Sequence, residues 1–408
     1  MTIERRRKGE VVAFAVTWLA YATYYLGRMG FSVSKARMVR EVGITEKALA
    51  TIDTGYLAAY AIGQFVSGAL GDRIGARRLV SIGMLFAAAT CAAFGAGTTA
   101  AALAVAFTLN GFAQSTGWPG TTKGMAEWTA PKSRGAVMGL WCTCYQVGGI
   151  AATAFCTWLL GRYGYRSAFW VPAACLAAVG LLVAATLKPG PYTVNREPLA
   201  AGRALDLAFF RNPTLWCYGA AYFFIKLIRY SFLFWLPYYL RTSLGMSEGL
   251  SGYLSTSFAI GGIAGAVGIG FVSDRVPHVS RSVVAATSLV GLASALVLYA
   301  ALAPSSPAMQ FTIMALIGAL LFGPDSLVSA ASAQEAAAPA DAALATGFVN
   351  GVGSVGAILQ GYVTVGVRQA YGWSAVFYTF VVFALLSALA LAPTFRLRAA
   401  AREQGAEA

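Results

Sequence analysis

Charge is what this chain has least of, and acid least of all. Its 408 residues hold sixteen Asp and Glu against thirty Lys and Arg, with a single histidine, His278. Charged residues make up 11% of the chain, against roughly a quarter in an ordinary soluble domain, which excludes a water-soluble globule. The lone histidine falls in a polar connection, so a buried imidazole relay is excluded and no Cys–His set for zinc can form. The six cysteines, Cys91, Cys142, Cys144, Cys156, Cys175 and Cys217, all fall in apolar stretches. Cys142 and Cys144 point to different faces of a helix, so packing is the expected role. The sequence also lacks a nucleophile–base pair, a metal cluster and a glycine-rich phosphate loop. Neither an enzyme, a cofactor nor a metal is expected.

Hydrophobic residues make up 58% of the chain, and apolar runs of eighteen or more recur along its length. Such runs are long enough to cross a bilayer as helices. An all-α membrane protein follows, with twelve spans at about 11–33, 49–70, 78–97, 99–122, 135–160, 166–187, 213–240, 250–273, 282–302, 306–330, 343–366 and 372–394. The leading MTIERRRKGE is basic, but the run after it is too long for a signal peptide and lacks a small-residue cleavage site. The first span is therefore expected to stay in the protein. The net charge of +14 is not a nucleic-acid footprint. With both termini inside, nineteen Lys and Arg fall in inner segments, eight in outer loops and three within spans, as the positive-inside rule requires. The expected location is a bacterial-type inner membrane, with both termini cytoplasmic.

The connection 188–212 divides the spans six and six. The expected domains are a six-helix bundle over 1–187, a cytoplasmic linker and a second bundle over 213–408. The halves repeat: GALGDRIGARR at 68–78 returns as GFVSDRVPHVSR at 270–281. Tyr21, Tyr25 and Arg28 correspond to Tyr222, Lys226 and Arg229, each displaced by 201 positions. Six-plus-six parallel repeats describe a transporter whose halves rock about a site between them.

A charge at the bilayer centre costs at least ~2.5–3.5 kcal/mol, so it normally faces a wet cavity or a partner. Here three cations, Arg28, Lys226 and Arg229, occur in the spans. The nearest acids are Asp53, toward the outer end of helix 2, and Asp325, toward the inner end of helix 10; neither is expected at the depth of the arginines. The cations then lack a protein counter-charge, and a bound anion is the expected partner. Arginine suits phosphate or carboxylate because its planar fork donates paired hydrogen bonds and keeps its proton. Positions 21, 25 and 28, like 222, 226 and 229, share one helical face. The competing reading of either arginine alone is a residue snorkelling to a helix end, and the tyrosines could simply pack between helices.

The motif at Gly68, Asp72 and Arg73, repeated at Gly270, Asp274 and Arg275, is expected in the loops joining helices 2–3 and 8–9. It would hold one face closed through charge and helix-end contacts; the plainer reading is topology-fixing loop charge. Glycines of helix 5 (Gly148, Gly149) and helix 11 (Gly347, Gly351, Gly353, Gly356) permit close helix contacts.

The twelve-span repeat with GALGDRIGARR resembles the major facilitator superfamily over the whole chain. YYLGRMGF, LNGFAQSTGWPGTTKGMAEW (109–128), YQVGGI (145–150), IRYSFLFWLPYYL (228–240) and the stretch from LFGPDSL to ATGFVNGVGSVGA (321–357) resemble the organophosphate:phosphate antiporters. That resemblance implies an arginine on helix 1 and a basic residue on helix 7 gripping phosphate, the places of Arg28 and Arg229. It also marks departures. A helix 5 histidine of glycerol-phosphate carriers falls on Tyr145, a helix 2 lysine on Gln64, and acids of helices 7 and 8 on Phe234 and Ala259. Lys226 stands where those carriers have tyrosine. The substrate is therefore expected to be a small organophosphate, phosphate or phosphonate anion, and glycerol 3-phosphate is not carried over from the resemblance. It would be exchanged for phosphate by a monomer bathed in membrane lipids. Two alternatives stay open. One is a proton- or sodium-coupled symporter using Asp53 or Asp325; the other is a transporter-like sensor of sugar phosphate.

Overall fold

In lipid every backbone polar group must be satisfied internally, which leaves this apolar chain the helix. The computed structural model describes residues 3–129, 134–192, 211–276, 279–302, 306–332 and 342–395. His278, most of the 188–212 connection and the side chains of Asp72 and Asp274 lie outside the described residues. The first half is built from α1 (Ile3–Tyr24), α2 (Leu26–Val42), α3 (Glu46–Ile74), α4 (Ala76–Ala96), α5 (Ala100–Gln114), α6 (Gly117–Ala126), α7 (Arg134–Trp141), α8 (Thr143–Tyr163) and α9 (Ser167–Thr186). The second half is built from α10 (Pro213–Thr242), α11 (Glu248–Arg275), α12 (Arg281–Leu302), α13 (Pro307–Ser326) and α14 (Ala342–Leu391). A π turn over Leu327–Ser332 follows α13, and α14 is two helices that meet at Gly372.

The twelve spans are all here, three of them as broken pairs: α1–α2, α5–α6 and α7–α8. Seven described helices are long and apolar enough to cross a membrane by themselves. Helix starts are written locally in the sequence. The hydroxyls of Thr45, Thr99 and Ser306 accept the amides of Ala48, Ala102 and Met309. Asn212 caps Thr214, with Pro213 at the first helical position, where a missing N–H costs nothing.

The chain divides into two compact units, Met1–Arg203 with Gly245–Tyr253, and Ala204–Leu244 with Leu254–Ala408. In the first, α4 packs on α9 and α3 on α5, around the interlocked rings of Phe31, Phe94, Phe107 and Phe169. In the second, α10 and α12 pack on α14, with Phe232, Tyr239, Tyr299 and Phe377 between them.

Two expectations need correction. Span 1 does not stop near residue 33; α2 runs on to Val42. Lys35, one of the residues assigned to an outer loop, is therefore in a helix. It is fully buried and 2.5 Å from the equally buried Asp53 carboxylate. Arginines further along α2 reach the first turn of α11, inside the same unit. Arg37 approaches Glu248 at 2.5 Å, and Arg40 bonds to the same carboxylate. The repeated acidic–basic motif, expected in loops, closes the last turns of α3 and α11 instead. Basic residues there meet the negative end of the helix.

Candidate functional site

Arg28 lies one turn after the break between α1 and α2. The break is a tightening: Tyr25 donates its amide to Ala22 and Arg28 to Tyr25, both three residues back. Short 3₁₀ turns inside long helices often mark places where function has bent a regular element. The Arg28 side chain is buried, and its Nε donates to Gln114 Oε1 at 3.1 Å. That oxygen also accepts the Tyr56 hydroxyl at 3.0 Å. Gln114 in turn donates to Asn110 Oδ1 at 2.6 Å, and Asn110 donates to the Ala87 carbonyl and the Thr90 hydroxyl. Two buried amides of α5, held in turn by a carbonyl and a hydroxyl of α4, thus fix one edge of the guanidinium. Every member is satisfied, and such a network rigidifies what it holds. A Cβ at residue 27 would fall 2.7 Å from the Gln114 amide nitrogen, so only glycine lets the network reach α2.

Aromatic rings face the same guanidinium. Its central carbon lies 4.5 Å from the Tyr25 ring, 5.4 Å from Tyr60 and 5.9 Å from Tyr56. Cation–π contacts favour the charge but do not cancel it. Among the described residues no carboxylate lies within ion-pair distance of Arg28. The result is a charged fork held through its Nε edge. Tyr21 packs beside Tyr25, Trp118 and Trp141, and Trp118 carries the cluster on to Tyr145. Gln64 is half-buried one turn beyond Tyr60. The first half therefore brings Tyr21, Tyr25, Arg28 and Tyr145 into one aromatic cluster.

In the second half the expectation fails on charge. Arg229 is not without an acid: its Nη1 lies 2.9 Å from Asp325 Oδ2. The sequence shows Asp325 near the end of a span, and its carboxylate nevertheless reaches α10; two irregular features lie beside it. Pro324 has no N–H to give the Leu320 carbonyl, and Ser288 of α12 donates to that oxygen instead, at 2.9 Å. A π turn then follows from Leu327, and such turns cluster at functional sites. Phe322 of the same helix covers the guanidinium at 4.5 Å.

Lys226, one turn before Arg229, is buried and reaches α14. Its ammonium donates to Asn350 Oδ1 at 2.7 Å, to Ser354 Oγ at 3.1 Å and to the Asn350 carbonyl at 3.3 Å. All three acceptors are neutral. The Tyr222 ring lies 5.1 Å from the ammonium. A Cβ at residue 353 would collide with the Tyr222 ring and sit 3.1 Å from the Lys226 chain. Glycine there lets α14 approach both.

The sequence reading missed Gln114, Asn110, Tyr56, Tyr60, Asn350 and Ser354. Their signal is present in part. Asn110 and Gln114 are two amides at i, i+4 in an otherwise apolar span, as are Asn350 and Ser354 in polar form. Asp53, offered as a coupling acid, is committed to Lys35. Of the motif at the ends of α3 and α11, Arg73 and Arg275 are exposed, and Arg275 lies over the Phe271 ring. Lys123 of α6 donates to the Gly71 carbonyl at 2.9 Å.

The Major Facilitator Superfamily profile matches residues 17–360 and 221–408. Sugar phosphate exchanger 3 of Homo sapiens is 30% identical over 458 residues, covering 94% of this chain and 92% of its own. The protein of the same name in Gallus gallus is 32% identical over 396 residues, covering 85% and 78%. Putative glycerol-3-phosphate transporter 3 of Arabidopsis thaliana is 29% identical, covering 93% and 86%. Among solved structures, a bacterial homolog of the human lysosomal transporter Spinster, inward-facing and occupied, superposes with a TM-score of 0.75. Its identity is 16%, covering 94% of this chain and 97% of that one, so the likeness is one of fold. Built as two six-helix halves that each set a basic residue into an apolar span, the chain belongs to the major facilitator superfamily and, within it, to the organophosphate:phosphate antiporters.

Proposed function

We propose that the protein is a secondary transporter of a small organophosphate anion, exchanging it for inorganic phosphate by alternating access. Arg28 from the first half and the basic pair Lys226 and Arg229 of α10 supply the positive charge the anion meets, with Tyr21, Tyr25, Tyr145, Tyr222 and Gln64 as neighbours. The observation that carries this reading is Arg28, a buried guanidinium held by a neutral amide with no carboxylate within ion-pair distance among the described residues. The names of the relatives, sugar phosphate exchanger and glycerol-3-phosphate transporter, point to the same cargo. The protein is read as a monomeric carrier rather than an enzyme, in a bacterial-type inner membrane with both termini cytoplasmic.

Charge supplies the mechanism. Three in-span cations with Asp325 leave a net +2, one unit less than the cations alone suggest. Enclosing unmatched charge in a low-dielectric interior is costly, so the empty carrier resists closing. A phosphate dianion brings the sum to about zero and lets the loaded carrier rock. That difference in stability between states is what a ligand needs in order to drive a conformational change. Exchange follows, because return without cargo is unfavourable. The test is uptake of labelled phosphate into vesicles holding the purified protein. Vesicles preloaded with phosphate should accumulate label, and empty ones should not. Equal uptake by both contradicts exchange.

The Arg229–Asp325 pair favours a second reading, in which Asp325 couples a proton to anion uptake. Uptake that follows an imposed pH gradient in phosphate-free vesicles, and is lost in Asp325→Asn, would select it.

A further inference from the structure

We propose that the group the second half offers to the transported anion is Lys226, with Arg229 held beside it as half of a neutral ion pair. The inference deepens the carrier reading above and rests on it. α10 carries two cations within one turn, yet among the described residues the one acid bonded to either of them, Asp325, is bonded to the arginine. The guanidinium is further committed by the Phe322 ring at 4.5 Å and the Tyr230 ring at 5.9 Å. The lysine, by contrast, is solvated without being neutralised. Amide, hydroxyl and carbonyl oxygens satisfy its three N–H donors, but neutral oxygens leave its full charge in place.

Geometry favours the same assignment. Two of the three contacts, at 3.1 and 3.3 Å, are longer than the third at 2.7 Å. An oxyanion can replace them while Asn350 Oδ1 keeps hold of the ammonium. Asn350 and Ser354 stand one turn apart on α14, and Gly353 between them lets the lysine chain lie against that helix. The side chain is therefore aimed before any anion arrives, which lowers the ordering cost of binding. Lysine acts as a point charge where arginine acts as a fork. A point charge left in place there suits an oxygen of a phosphate group.

The test is equilibrium binding of labelled inorganic phosphate to purified full-length protein, with unfolding temperature checked for each variant. Lys226→Gln should weaken binding by more than about thirtyfold, the order expected on losing a buried charge contact. The double variant Arg229→Gln/Asp325→Asn removes one charge of each sign and should weaken it by less than about tenfold. Arg28→Gln serves as the reference loss. Were the double variant to lose as much as Arg28→Gln while Lys226→Gln bound like the parent, the assignment to Lys226 would be overturned and the carrier reading would stand. Should Lys226→Gln not fold, the double variant decides alone: a loss matching Arg28→Gln overturns the proposal. Phosphate binding unaffected by all three would instead overturn the carrier reading itself.

Discussion

Arg28 and Arg229 occupy corresponding places in the two repeats, yet their electrostatic surroundings are opposite. In the first half the guanidinium is anchored through Nε by an amide, at 3.1 Å, and walled by tyrosines. In the second it is bonded to a carboxylate at 2.9 Å, and an extra cation, Lys226, stands where the first half has Tyr25. The repeat keeps the position of the basic residue and changes what balances it. Among the described residues each cluster keeps one cation without a bonded carboxylate, a fork in the first half and, on the proposal above, a point charge in the second. Internal symmetry is thus a guide to where charge sits, and a poor guide to which side chain is left to bind.

The comparison is broken most severely by giving the first half what the second half has. Gln114→Glu places a carboxylate on Arg28 Nε, and phosphate exchange should fall about a hundredfold or more, as two charge-assisted hydrogen bonds at ~1.5–3 kcal/mol each are forfeited. Exchange in phosphate-loaded vesicles reads this directly, and a rate near the parent's would mean that Arg28 does not need to be unmatched. The reverse change, Asp325→Asn, leaves Arg229 unmatched. Removing one partner of a buried pair should cost ~3–5 kcal/mol of stability, read by unfolding in detergent. Added phosphate should restore more stability to this variant than it gives the parent.

Much of this was legible in the residues. Apolar run lengths and basic-residue placement gave twelve spans, and the spacing of Tyr21, Tyr25 and Arg28 against Tyr222, Lys226 and Arg229 located both clusters. The Arg229–Asp325 bond was not legible. Asp325 sits at the inner end of a span by count, yet in the last turn of α13 its carboxylate meets Arg229 of α10. Counting along a span gives a depth for each residue, and it does not say which neighbouring helix a side chain meets. The same limit hid the partner of Lys35. Lys35 reads as loop charge until Asp53 is seen to bury it. The amide network behind Arg28 was visible only as two polar residues four apart, a pattern equally consistent with helix packing.

Smaller perturbations sharpen the comparison without inverting it. Gln114→Leu leaves Arg28 its charge but removes its anchor and strands the Asn110 oxygen. A loss of ~1–3 kcal/mol in stability is expected, with phosphate affinity weakened about tenfold in a binding titration. Ser288→Ala should be milder still. It uncovers the Leu320 carbonyl and should lower stability by ~1 kcal/mol, with no counterpart effect on the first half. If it shifted unfolding as much as Asp325→Asn does, the proline step would matter more than the ion pair beside it.

The most direct measurement is counterflow of labelled phosphate in vesicles loaded with unlabelled phosphate, comparing the parent with folded Arg28→Gln protein. The account expects transient accumulation of label by the parent and none above protein-free vesicles for the variant. Accumulation by Arg28→Gln at the parent's rate would contradict it.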